Sequence, residues 1–169
     1  NRILAQTISF LHTAGIVAAS YPRSIGQDED SRKQPDGEQW FLDGLNFSDV
    51  TVRHPLSPSY LVYAHRVGKF LDAAVTAKMV NYLPFATARG ASFSALAISS
   101  YGGLSEEFFK FLQKIAKHAE ASSFSSITDH TAFLNKMVQS VVSTLMKANA
   151  WMYHKGIRDS RRKYGYVGY

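Results

Sequence analysis

The sequence predicts an α/β fold in which a mixed β-sheet is flanked by helices. Apolar-rich runs on either side of Asp43-Gly44 predict a β-hairpin over residues 38–53, since Asp-Gly is a favoured hairpin turn. Apolar residues at helical spacing over 60–82, and a further apolar run at 92–100, predict a helix and then a strand. A strand, a helix and a strand in this order imply a parallel pair joined by a right-handed crossover.

Further helices are predicted before and after this sheet. Apolar spacing indicates a first helix over 2–14, which Gly15 ends, and residues 16–19 favour a short strand. Ser105 and Thr128 each begin a later helix. The predicted order is therefore helix, strand, hairpin of two strands, helix, strand and two helices.

Composition narrows the possible functions. The chain has 169 residues, of which 46% are hydrophobic, so we expect one folded domain. No apolar run approaches the roughly 20 residues that cross a bilayer, and we expect no membrane association. The absence of cysteine excludes disulfides, thiolate zinc sites and cysteine nucleophiles. A net charge of +6 favours an anionic partner such as nucleic acid.

Acidic side chains gather on one face of the predicted hairpin. If Asp43-Gly44 forms the turn, Glu38 lies opposite Asp49, and Asp36 is a diagonal neighbour of Asp49 on the same face. Like charges opposed across a sheet need compensation, and Mg²⁺ typically takes one or two carboxylates together with water and phosphate. The alternative interpretation is an edge hairpin whose acidic face is simply solvated.

Lys78 continues the apolar stripe of the predicted helix that contains Leu71, Ala74 and Val75. We therefore expect its side chain to point toward the sheet, where a carboxylate cluster would compensate its charge. A lysine that extends past the apolar surface into water is the alternative.

These positions together resemble the PD-(D/E)XK nuclease pattern. The matching elements are residues 34–36 (QPD), residues 49–52 (DVTV), Lys78 and, four positions later, Tyr82. More narrowly, the chain resembles the endonuclease domain carried beside reverse transcriptases in site-specific non-LTR retrotransposons and related mobile elements. The resemblance covers most of the chain from about 34 to 152.

The resemblance implies a restriction-endonuclease-like αβββαβ core, followed here by two C-terminal helices. It implies that Asp36 and Asp49 hold Mg²⁺ or Mn²⁺, that Lys78 orients or activates the attacking water, and that Tyr82 supports the site. Glu38 joins the metal ligands on the hairpin register alone.

The expected activity is metal-dependent cleavage of phosphodiester bonds in DNA, for target-site nicking by a mobile element. By the same resemblance, we expect nuclear action within a longer polypeptide that includes a reverse transcriptase. The start of the chain at Asn1, without a methionine, also favours a segment of a longer protein.

Basic residues cluster at the C-terminus, and we divide the chain into a nuclease-like domain over 1–152 and a basic, tyrosine-containing tail over 153–169. Cations that track phosphates and aromatic rings that stack on bases would make this tail a nucleic-acid arm for DNA or RNA. A solvated terminus is the alternative. The candidate binding residues are Lys155, Arg158, Arg161, Arg162 and Lys163.

Three functions remain open from the sequence. The first is an active Mg²⁺-dependent endonuclease, and the second is a catalytically inactive nuclease-like domain that binds nucleic acid. The third is a basic scaffold module with no nucleic-acid role. Metal-dependent cleavage separates the first from the second, and salt-sensitive DNA binding separates both from the third.

Overall fold

Four strands and four α-helices make up the chain where the computed structural model describes it, over residues 2–20, 35–63, 68–122 and 127–164 (for residues 163 and 164, the backbone alone). In chain order the elements are α1 (Arg2–Thr13), β1 (Val17–Ser20), β2 (Gly37–Phe41), β3 (Gly44–Arg53), a 3₁₀ helix (Pro58–Tyr63), α2 (Lys69–Thr87), β4 (Ser92–Ser99), α3 (Glu106–Ala121) and α4 (His130–Tyr164). The predicted succession of helices and strands is confirmed, with the 3₁₀ helix added.

The strands form one mixed sheet in the order β1-β2-β3-β4. β1, β2 and β3 are antiparallel neighbours, whereas β3 and β4 run parallel. A parallel pair needs a long crossover, and α2 provides it. The structure is thus an α/β fold with a mixed sheet flanked by helices, as the sequence predicts.

Side chains alternate between the two faces of the sheet. Val50, Leu96 and Ile98 point into a large core formed with α1, α3 and α4. Phe47 and Phe93 lie on the opposite face, in a smaller cluster with α2. The apolar cluster on the α2 face is therefore the smaller one. Polar residues of β3 lie on the same face, next to this cluster.

The hairpin turn lies one residue earlier than the sequence predicts. Phe41 pairs with Gly44, so the turn residues are Leu42 and Asp43, and Gly37 pairs with Ser48. Gly44 has φ 121°, a backbone conformation that favours glycine. The ion pair between the Lys114 ammonium and Asp43, with Nζ 2.7 Å from Oδ2, holds this turn against α3 and lowers the pKa of the Asp43 carboxyl.

Buried polar contacts stabilise the observed register. Asn46 pairs with Gln39, and their side-chain amides lie 2.8 Å apart. Ser92 and Ser94 of β4 donate hydrogen bonds to Asn46 Oδ1 at 2.8 and 3.1 Å. In the predicted register, Asn46 would face Phe41 and lose its amide partner, leaving buried polar atoms unpaired.

Two of the four predicted helix starts are confirmed and two are wrong. α1 begins at Arg2, as predicted. The helix predicted from residue 60 begins at Lys69, after Gly68 in the left-handed region with φ 84°, and extends to Thr87. Ser105 does begin α3, since its hydroxyl accepts a hydrogen bond from Phe108 N. Asp129, and not Thr128, precedes the last helix, since Asp129 Oδ1 accepts hydrogen bonds from the backbone N–H groups of Thr131 and Ala132.

α4 continues without a break through the predicted boundary between residues 152 and 153. The basic residues predicted to form a tail therefore lie on the end of a helix as far as Tyr164. Tyr166 and Tyr169 lie outside the described residues. Among the described helices, none combines the length and apolar character needed to span a membrane.

Gly37→Ala is expected to destabilise the fold. A Cβ at this position would lie 2.6 Å from the Gln39 amide and 2.8 Å from Ser48 Oγ, and both neighbours are buried. Overpacking of this kind typically costs about 1–3 kcal/mol. Chemical denaturation should show this loss, whereas the control Gly156→Ala, at an exposed helical position with open space around it, should be neutral or stabilising. A Gly37→Ala variant as stable as the wild type would contradict the proposed register.

Candidate functional site

Asp36 and Asp49 lie next to each other on the α2 face. Asp36 directly precedes β2, and the register that pairs Gly37 with Ser48 brings Asp36 in line with Asp49. Val50 N donates a hydrogen bond of 3.0 Å to Asp36 Oδ2. The Asp36 carboxylate thus pairs with a backbone N–H of β3 at the point where β2 has not yet begun. The predicted sharing of one face by these two carboxylates is confirmed, in a closer arrangement than the diagonal one expected.

Lys78 forms the third member of this cluster. Its Nζ lies 2.7 Å from Asp49 Oδ1, and the exposed fractions of the two side chains are 23% and 6%. The prediction that Lys78 points to the sheet and finds a carboxylate is therefore confirmed. Helical spacing explains it, because Ala74 and Leu71, one and two turns earlier on the same stripe, are buried on the sheet.

Tyr82 lies one turn after Lys78 and borders the same carboxylates. Its ring stacks on Phe93 at 5.2 Å between centroids and 18° between planes, and Lys78 Nζ is 5.3 Å from the ring centroid. Burial raises the pKa of the Tyr82 hydroxyl, and the charge of Asp49 and a hydrogen bond to it act in the same direction. Tyr82 therefore stays a neutral donor beside the acidic pair at ordinary pH.

The pKa of the Asp36 carboxyl is raised above its ordinary value. Burial is the largest cause, and the negative charge of Asp49 adds to it. The hydrogen bond from Val50 N and the charge of Lys78 act in the opposite direction without reversing the shift. Two carboxylates thus repel each other here and nearby positive charge does not fully compensate them, so the pair would gain from a further cation.

Asp49 Oδ1 is a buried oxygen without a hydrogen bond among the described residues. Lys78 approaches it as a charge partner, outside the angular range of a hydrogen bond. A buried carboxylate oxygen whose partner is a charge contact with Lys78, beside a second carboxylate, suits a hard divalent cation such as Mg²⁺ or Mn²⁺, which prefers oxygen ligands. The donor set therefore fits the expected ion.

Glu38 does not join the pair in the way the sequence predicts. It lies opposite Phe47 and not opposite Asp49, because the turn is one residue earlier. Its Oε1 accepts a hydrogen bond of 3.1 Å from the Trp40 indole nitrogen. Over the described ranges, no three His, Asp or Glu side chains form a group that could hold a metal. A site built on Asp36 and Asp49 would thus draw its remaining ligands from water and substrate.

The predicted nucleic-acid residues lie on the exposed end of α4. Lys155, Arg158, Arg161 and Arg162 are all exposed. Lys163 belongs to the same helix, and its side chain lies outside the described part of the chain. The four exposed cations lie on successive turns of the helix, and one aspartate, Asp159, lies between them in the sequence.

This end of α4 begins at the edge of the sheet where β3 and β4 end. Asn149 donates a hydrogen bond of 2.8 Å to Ser100 O, just beyond the end of β4. β3 also ends here at Arg53. We call this the carboxyl end of the sheet. The acidic pair lies on the α2 face, with Asp49 four residues before this end of β3, whereas α4 packs on the opposite face.

Arg53 is a further basic residue that could contact nucleic acid, and the sequence alone does not show to which face of the sheet its side chain points. Three other basic residues could also extend a basic surface: Arg66, Lys69 and Arg89. Of these, Arg66 lies outside the described residues. Four positions after Asp49 along β3, Arg53 points to the same face, and it lies above Tyr60. The even spacing from Asp49 is the signal that identifies its facing once the strand is known.

No protein-family model matches this chain, and no significant match was found among curated proteins. The nuclease interpretation therefore rests on the sequence pattern and on the geometry of the site.

Asp36→Asn is expected to stabilise the protein slightly at pH 7 without divalent cations. Because folding raises the pKa of Asp36, its ionisation favours the unfolded chain, and stability falls as pH rises from the unfolded value through the folded one. Asparagine keeps an acceptor for Val50 N and removes the charge. Thermal unfolding should show a rise of at most about 3 °C, since water screens a partly exposed group.

The same comparison at pH 3 should show no such gain, because the wild-type carboxyl is then largely protonated. Asp159→Asn, at the exposed end of α4, is the matched control. A lower midpoint for Asp36→Asn than for the wild type at pH 7 would show that the carboxylate is stabilised in the fold, against the repulsion inferred here.

Proposed function

We propose that this chain is a metal-dependent endonuclease domain of the restriction-endonuclease-like class that cleaves phosphodiester bonds of DNA. The observation that carries the proposal is the cluster of Asp36, Asp49 and Lys78 on neighbouring elements, with Lys78 Nζ 2.7 Å from Asp49. Two carboxylates on one face could hold a metal ion that activates water for hydrolysis of a phosphodiester, and a neighbouring ammonium could assist it.

The fold supports the proposal at a coarser level. A helix, three antiparallel strands, a helix and a strand parallel to the third follow one another, and two helices come after them. This is the αβββαβ order expected for a restriction-endonuclease-like core. Fold alone does not define activity, so the argument depends on the site.

The proposed mechanism assigns a role to each side chain. Asp36 and Asp49 would hold Mg²⁺ or Mn²⁺, which lowers the pKa of water and offsets charge on the scissile phosphate when bound. Lys78 directs its ammonium at Asp49 Oδ1 and would orient the attacking water. The Tyr82 ring, stacked on Phe93, limits the positions that the Lys78 ammonium can take.

The charge distribution supports a nucleic-acid substrate. The net charge is +6, and the exposed end of α4 carries several of the cations. These cations would bind phosphates that flank the cleaved bond, in DNA or in RNA. By resemblance, the proposal extends to target-site nicking in the nucleus by a mobile-element polypeptide that includes a reverse transcriptase.

Cleavage assays on supercoiled and single-stranded DNA test the catalytic assignment. With Mg²⁺ or Mn²⁺ we expect nicking by the wild type, and a loss of about 100-fold or more in both Asp49→Ala and Lys78→Ala. Glu38→Gln is the matched control and should keep its activity, because Glu38 faces Phe47. Circular dichroism should confirm that each variant is folded.

The outcomes separate the candidate functions. A folded wild type that binds DNA in a salt-sensitive way but never cleaves it would favour the inactive, nucleic-acid-binding alternative. A folded wild type that does neither would favour the scaffold module. Cleavage that persists in Asp49→Ala would refute the assigned site.

Glutamine at Lys155, Arg158, Arg161 and Arg162 together should weaken DNA binding without changing cleavage of bound DNA. Each lost phosphate contact should reduce the slope of log affinity against log salt by roughly 0.9 for duplex DNA. Fluorescence anisotropy over a range of salt concentrations measures this. Lys117→Gln with Lys136→Gln, two exposed lysines of α3 and the body of α4, is the control. An unchanged slope in the fourfold variant would contradict the assignment.

A further inference from the structure

Arg53 is the last residue of β3, and its side chain lies on the α2 face with Asp49. Parallel pairing with Ser99 and a hydrogen bond from Ser100 N to Arg53 O, 2.8 Å long, hold its backbone at the carboxyl end of the sheet. Four residues of strand place its Cα about 13 Å from that of Asp49. Arg53 and the acidic pair therefore lie along one line on the same face.

The Arg53 guanidinium is held by an aromatic contact. Its central carbon lies 5.8 Å from the centroid of Tyr60, in the 3₁₀ helix. The Tyr60 ring in turn packs edge-on against Phe70 of α2, at 6.2 Å between centroids. This contact fixes the approximate direction of the side chain and leaves the hydrogen-bonding edge of the guanidinium for other partners.

The hydrogen-bonding capacity of Arg53 is not used within the part of the chain that the structure describes. Its Nε is buried and has no hydrogen-bond partner there. None of the ion pairs between described residues includes it. A partly buried cation without an anion is unfavourable, and a guanidinium has five N–H donors to satisfy.

A backbone phosphate is the anion that best fits this position. The planar guanidinium matches phosphate oxygens with two parallel hydrogen bonds. The carboxyl end of the sheet also meets the start of the basic end of α4, where Arg2 and Lys155 both lie over the Trp151 ring, at 5.7 and 5.4 Å. The carboxylates of an acidic peptide would lie close to the acidic pair on this face. A nucleic acid would instead contact the pair through the divalent cation of the proposed site.

We propose that Arg53 binds a phosphate of the DNA strand that is cleaved, and that it thereby sets the direction in which this strand crosses the site. This inference rests on the proposed function, which places the scissile phosphate at Asp36 and Asp49. Each strand of duplex DNA has one phosphate per 3.4 Å of axis and winds around that axis, so a straight span of ~13 Å reaches a phosphate about two nucleotides away.

The test compares Arg53→Gln with Arg89→Gln in the full 169-residue chain. Arg89 is an exposed arginine beyond the end of α2, toward the opposite end of the sheet, and its guanidinium carbon is 3.8 Å from the Phe85 ring. Both changes remove one positive charge and one aromatic contact. The probe is a fluorescent duplex of about 25 base pairs in Ca²⁺, which is expected to support binding without turnover, measured over a range of salt concentrations.

We expect Arg53→Gln to bind the duplex about 10-fold more weakly, or worse, with a salt slope reduced by roughly 0.9. Arg89→Gln should bind as the wild type does. Arg53→Lys should recover only part of the affinity, because an ammonium cannot form the two parallel bonds. The unfolding midpoint of Arg53→Gln should equal or exceed that of the wild type, because the substitution removes an uncompensated charge.

Equal affinities and salt slopes for Arg53→Gln and the wild type would overturn the inference, and so would a wild type that binds no duplex. A fall in the unfolding midpoint with unchanged DNA binding would assign Arg53 a structural role instead. This binding comparison does not depend on cleavage. A wild type that binds but does not cleave would therefore refute the nuclease proposal while the Arg53 contact is still measured.

Discussion

The ion pair between Asp49 and Lys78 joins the middle of the sheet to the helix that covers one of its faces. Asp49 is almost fully buried, so its carboxylate would be costly in the fold without a nearby positive charge. Removing either partner would leave the other uncompensated. Together with the packing of Leu71 and Ala74 on Ala97, this contact holds α2 on the sheet and directs its Lys78–Tyr82 turn at Asp49.

A single step in the hairpin register determines which acidic residues meet. With Phe41 paired to Gly44, the Asp36 carboxylate reaches Val50 N and lies beside Asp49, while Glu38 is aligned with Phe47. Gly37 is required between them, since a Cβ would collide with the buried Gln39 and Ser48 side chains. Buried amide and hydroxyl contacts on one face of the sheet thus fix the geometry of the carboxylates on the other.

The sequence was informative where a repeating pattern controls the structure. The spacing that buries Leu71 and Ala74 also directs Lys78 to the sheet, and strand alternation places Asp36 and Asp49 on one face. The shared face of Asp36 and Asp49 is unchanged by the shift of the turn, because the observed and the predicted turn both contain two residues. The sum of paired residue numbers therefore differs by two between the registers, and each side chain stays on the same face.

The sequence was less informative where tertiary contacts choose between similar local options. Leu42-Asp43 and Asp43-Gly44 both suit a two-residue turn, and the pairing of Asn46 with Gln39 favours the first. The end of α4 has no apolar stripe, so periodicity could not indicate that the helix extends to Tyr164. The contact of Arg53 with Tyr60 depends on the 3₁₀ helix, which the sequence pattern does not predict.

The central claim is that Asp36 and Asp49 together form a site for one divalent cation, and direct binding of Mn²⁺ tests it without requiring a substrate. Electron paramagnetic resonance of the wild type should show one bound Mn²⁺ per chain, displaced by excess Mg²⁺. Asp49→Asn should abolish this binding, and Glu38→Gln should leave it unchanged. Mn²⁺ binding of equal affinity in Asp49→Asn and the wild type, or no binding by the folded wild type, would contradict the account.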